Sequence, residues 1–140
     1  MFPFTYTFEK EITKDKTSDQ VIYAVRDLLK EERVQNILYG PEFVSFDEGL
    51  FKERSNWHYL SLIDNGKFTY NENNKILTYQ VKLWKLNLFS LIFLIITMVN
   101  FKDIFGNLFP FSALLINHLL CYFGNRGLIK KIVYKINDLS

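Results

Sequence analysis

From residue 2 the chain alternates, with Phe2, Phe4, Tyr6, Phe8 and Ile12 on one side of an extended backbone and Thr5, Thr7, Glu9 and Glu11 on the other. Aromatic against polar at period two predicts a half-buried strand over 2–12. The pattern then changes period. Thr17-Ser18-Asp19-Gln20 has the form of a capping box, with Gln20 three residues after Thr17, where each side chain can satisfy a backbone N–H that the first helical turn leaves open. Behind it Val21, Ile22, Val25, Leu28 and Leu29 recur at helical spacing, so an amphipathic helix over 18–33 is expected to lie on the sheet.

Gly40-Pro41 interrupts the chain, and two short strands are expected around an Asp47-Glu48-Gly49 turn. Trp57, Tyr59, Ser61 and Ile63 alternate with His58, Leu60, Leu62 and Asp64, a strand apolar enough on both faces to be central. Asn65-Gly66 reads as a hairpin turn into Phe68 and Tyr70. Asn71-Glu72-Asn73-Asn74 supplies another turn, and Leu77, Tyr79, Val81 and Leu83 alternate beyond it. Residues 1–83 therefore read as an α+β domain: strand, helix, then an antiparallel meander of about four strands.

The remainder follows a different rule. Sixteen uncharged residues lie between Lys85 and Lys102, and 22 more between Asp103 and Arg126. Because a spanning helix takes roughly 17–25 residues, residues 84–125 read as a two-helix transmembrane hairpin, at about 84–101 and 107–124. Gly106-Asn107 is placed as its turn, Pro110 in the first turn of the second helix, and Gly124 and Gly127 as C-caps. Lys67, Lys75, Lys82 and Lys85 precede the hairpin, and Arg126, Lys130, Lys131 and Lys135 follow it. The loop has Lys102 alone, beside Asp103. The positive-inside rule then assigns a multi-pass protein of the cytoplasmic (inner) membrane with both termini cytoplasmic. Lys82, Trp84, Lys85, Arg126, Lys130 and Lys131 are its candidate interfacial, headgroup-facing residues. Residues 126–140 form a basic amphipathic tail, whose Ile129, Ile132, Val133 and Ile136 make a helical stripe. It suits an interfacial helix, an added strand, or a helix docked on the N-terminal domain.

Composition changes this picture little. The 140 residues are 49% hydrophobic with a net charge of +2, too weak a positive balance to imply a nucleic-acid partner. A single cysteine, Cys121, excludes an intrachain disulfide and fits a reducing compartment. The N-terminus has neither the basic region nor the apolar core of a secretory signal.

Candidate chemistry is sparse. His118, with Asn117, falls inside the second apolar segment, where a polar group is either functional or bonded to a neighbour such as Ser90 or Asn87. His58 has no second histidine near it in the N-terminal domain, and Asp64 lies about 20 Å along the same expected strand. The acidic residues Glu42, Asp47, Glu48 and Glu53 surround a turn without the form of a calcium loop. No catalytic, metal-binding or cofactor-binding set emerges, and no cofactor is implied. The expected partners are a lipid bilayer and another membrane protein or a second copy. The leading functional expectation is a non-catalytic accessory or interaction subunit. Its alternatives are a membrane-anchored sensor for lipid or a small ligand, and an oligomeric membrane-permeabilising protein with Asn117 and His118 facing a lumen.

Overall fold

A computed structural model describes residues 5–47, 58–100 and 104–138, with 104–110 described by their backbone. Its elements, in chain order, are β1 (Thr5–Glu11), α1 (Ser18–Glu31), β2 (Ile37–Tyr39), β3 (Phe43–Asp47), a 3-10 turn (Tyr59–Leu62), β4 (Asn65–Asn71), β5 (Ile76–Lys82), α2 (Trp84–Asn100) and α3 (Ile104–Asp138). The five strands form one antiparallel sheet in the order β1-β5-β4-β3-β2. Helix α1 carries the chain from one edge of the sheet to the other and packs on β2, β3 and β4. The C-terminal part of α3 lies beside it, over β1 and β5.

Alternation along the strands puts one set of side chains under these two helices. Phe8, Tyr79, Phe68 and Val44 form a row across β1, β5, β4 and β3, all of them buried. The Phe68 and Tyr79 rings stack with centroids 4.0 Å apart, a contact that strengthens cross-strand pairing. In the next row Val81, Gly66 and Phe46 are neighbours. Gly66 is required there because a Cβ would enter the Phe46 ring. On the opposite face Thr7, Glu9, Lys67, Gln80 and Lys82 are exposed.

The capping box forms as the sequence reads it, with the Gln20 N–H donating to Thr17 Oγ1 and the Thr17 N–H to Gln20 Oε1 at 3.3 Å. At the other end Val34 N–H donates to Leu29 O and Arg33 N–H to Lys30 O, both at 2.9 Å. Arg33 takes φ 56°. This is a Schellman closure, built on an arginine where glycine is usual.

Several expectations require correction. The 57–64 segment is not a central strand, because Tyr59–Leu62 forms the 3-10 turn (Trp57 lies outside the described residues). His58 Nδ1 accepts the Leu60 N–H at 3.3 Å and Ser61 Oγ donates to His58 O at 2.6 Å. These local bonds compete with a sheet ladder. Asn65-Gly66 is part of β4, not a turn. The reversal between β2 and β3 falls at Gly40–Glu42, where Gly40 N–H donates to Phe43 O at 2.9 Å. Of the expected Asp47-Glu48-Gly49 turn, Glu48 and Gly49 lie outside the described residues, with the strand placed after it.

The largest correction concerns residues 84–125. The α+β content stands, but no helix among the described residues is long and apolar enough to cross a membrane. The two-helix transmembrane hairpin, and with it the multi-pass placement in a cytoplasmic membrane, is not supported. Helix α2 has 17 residues and is about 25 Å long, short of a hydrocarbon core of about 30 Å. Helix α3 is long, at 35 residues, but an uncharged stretch is not a continuously apolar one. Gly106, Asn107, Asn117, His118 and Asn125 interrupt it. Helix α3 begins at Ile104, so Gly106-Asn107 is in its first turn rather than in a connecting loop, Pro110 falls in the second turn, and the helix continues through Gly124 and Gly127 instead of stopping there. Its last part docks on the sheet, burying Leu128, Ile129, Ile132, Val133 and Ile136 in the core. The body thus takes its second covering helix from the segment that reads as a tail.

Candidate functional site

Helix α2 and the first part of α3 pack against each other and form an arm on the body. The body fixes the arm at its base. Asp64, which is buried, accepts the Lys85 N–H at 3.1 Å, and Lys85 Nζ stands 3.6 Å from its other oxygen. A carboxylate at the first turn of α2 meets open N–H groups and the positive end of the helix dipole. The Asp64 N–H in turn donates to Lys82 O at 2.9 Å, so the end of β5 and the start of α2 are tied together. On the α3 side Tyr79 Oη donates to the buried Asn125 Oδ1 at 2.7 Å, and Asn125 Nδ2 donates to Cys121 O at 2.7 Å. Gly124 fits directly over Tyr59 with no space for a Cβ.

The arm reverses the usual distribution of polarity. Its buried positions on α2 are Asn87, Ser90 and Thr97, and on α3 Leu114, His118, Cys121 and Asn125, spaced by three, four or seven as a helix-pair seam requires. Two of the polar members on α2 donate to carbonyls one turn back. Asn87 Nδ2 donates to Leu83 O at 2.9 Å, and Thr97 Oγ1 to Phe93 O at 3.0 Å. Burial holds the His118 pKa below its ordinary 6.5 and pushes the Cys121 thiol up to about 12. Both groups are neutral near pH 7, and the thiol is a poor nucleophile.

The outside of the arm is apolar. Nine large side chains of α2 are exposed (Leu88 to Val99, with Phe89 at 64% and Val99 at 73%), as are six between Phe111 and Phe123 on α3. Monomers rarely expose contiguous apolar patches beyond a few hundred Å2. The outside of this arm is therefore the feature of the molecule most in need of a partner.

The candidate residues fall in different places. Asn87 and Ser90 are buried on α2 and His118 on α3, and Asn117 is half-buried. Trp84, Lys82, Arg126 and Lys130 are exposed near the base of the arm, with Lys85 Nζ 5.9 Å from the Trp84 ring. Lys131 is bound elsewhere: it pairs with Glu32, while Lys135 pairs with Glu31 at 2.7 Å, joining α3 to α1. The Glu32 carboxylate raises the Lys131 pKa. His58 serves the 3-10 turn, its ring stacked on Tyr59. Asp64, Tyr79 and Asn125 are the residues that fix the arm to the body, and sequence reading gave them no such role. Their partners lie 21 and 46 residues apart, and no local spacing announces contacts of that range. Among the described residues no group of three or more His, Cys, Asp or Glu is placed to hold a metal ion. A groove of about 540 Å3 runs between α1 and the end of α3, lined by Lys16, Tyr23, Asp27, Glu31, Lys135 and Ile136. Comparison with protein-family models, with curated proteins and with solved structures finds no match.

Proposed function

We propose that this chain is a non-catalytic interaction protein that attaches to its partner through the outside of the α2–α3 arm, with the α+β body as the element so attached. The observation that carries this reading is the arm's polarity: a seam of Asn87, Ser90, Thr97 and His118 inside, and Leu, Ile and Phe side chains outside. Exposed apolar area beyond what packing requires is free energy available for association.

The test replaces outward-facing residues whose loss leaves the core intact, as in Leu91→Asn, Ile95→Asn and Leu119→Asn combined. Wild-type protein purified from cells should sediment as a complex, and the triple variant as a lone 16.7 kDa chain with unchanged circular dichroism. A wild type that already sediments alone, with nothing attached, would contradict the proposal.

A further inference from the structure

Resting on that reading, we infer that the partner of the arm is a second copy of this chain, packed arm to arm and antiparallel. Three observations converge on this occupant. The first is area. The nine α2 and six α3 side chains exposed by 39–73% offer apolar surface on the order of 1,500 Å2, against the roughly 800 Å2 that each partner contributes to a stable interface. About half of the arm's apolar outside therefore meets what a dimer requires of each partner.

The second is charge. No charged residue falls between Leu86 and Asn100 or between Phe111 and Asn125. An identical arm matches this surface without desolvating any ion, whereas a partner carrying charge would lose the hydration of that charge. The third is direction. Lys82, Arg126 and Lys130 are exposed near the base of the arm. A parallel pairing brings two such sets together. An antiparallel pairing sets each base against the far end of the other arm, and a two-fold axis then crosses near Phe93, close to the middle of α2. The product is a four-helix bundle with isologous contacts, the commonest symmetry for a homodimer.

The experiment uses the full chain. Sedimentation equilibrium at micromolar concentration should give a dimer. Phe93→Glu with Ile96→Glu, both at exposed positions, should raise the dissociation constant by at least about 100-fold, as expected for two central contacts. Circular dichroism checks that the fold persists. In a Cys121→Ser background, mixing Phe89→Cys with Ile96→Cys chains should give the mixed disulfide, because residues 89 and 96, both exposed, lie two turns apart on one face of α2 and are equidistant from its centre beside Phe93. A monomeric wild type, a dimer indifferent to the glutamates, or disulfides only between like chains would each overturn the inference. Protein that is monomeric in buffer yet floats with phosphatidylcholine vesicles would also overturn it, while leaving the attachment role of the arm in place. If the arm neither self-associates nor attaches to anything, both readings fail.

Discussion

Two glycines three residues apart show how far residue-scale effects depend on what faces them. Gly124 and Gly127 lie in the same helix with the same backbone conformation. A Cβ at 124 would enter Tyr59, whereas nothing stands within 4 Å of one at 127. Gly124→Ala should therefore destabilise the protein by about 1–3 kcal/mol through overpacking. Gly127→Ala should stabilise it by up to about 1 kcal/mol, because alanine loses less backbone freedom on entering a helix. Urea unfolding of the two variants checks both signs, and equal effects would show that Tyr59 does not press on α3. Asn125 illustrates the complementary case. It is fully buried and acceptable there because Tyr79 and the Cys121 carbonyl satisfy it.

At the scale of elements, α1 is the part whose stability is most local. Its five buried residues face the sheet, and both of its ends are closed by short-range bonds. Thr17→Ala removes the acceptor for Gln20 N–H and should cost about 1 kcal/mol, the usual value of an N-cap. Thr17→Asp should restore most of it, and thermal unfolding of the pair separates capping from a general effect of substitution. Helix α3 behaves differently. Its last part is stabilised by packing on the sheet and by the Glu31–Lys135 and Glu32–Lys131 pairs, which lie at the surface with Glu32 partly covered and so contribute little each.

The whole molecule has two regions of unlike stability. The body is closed around aromatic and aliphatic side chains from five strands and two helices. The arm has a polar seam that includes His118, and should open first. Acid should widen the difference. Burial lowers the pKa of His118 below the ordinary 6.5, so in the range just under that value the unfolded chain binds a proton that the folded arm refuses. Stability from the neutral imidazole is therefore full above pH 6.5 and declines as the pH falls below it. Amide exchange in α2 should accelerate, relative to β4 and β5, when the pH is lowered from about 7.5 to about 5.5, after correction for intrinsic rates. His118→Gln should abolish the acceleration. Equal acceleration in the sheet would mean that arm and body open as one unit.

Features that depend on neighbours within a turn or a strand were legible in the amino-acid sequence. The capping box at Thr17, the buried stripe of α1 and the alternation along β1 and β5 are set by spacing alone, because the physics that produces them acts over two to four residues. Tertiary structure decided the rest. Residues 59–62 alternate as a strand would but curl into a 3-10 turn, since His58 captures the local N–H and Gly124 offers Tyr59 a seat. Uncharged runs read as spanning helices, yet charge spacing reports neither the length of a continuous apolar helix nor which of its residues face a neighbour. The end of α3 looks like a separate tail until the sheet, bare over β1 and β5, takes it as cover. The arm's inverted polarity belongs to the same class: which of its side chains are inside is settled only when two helices meet.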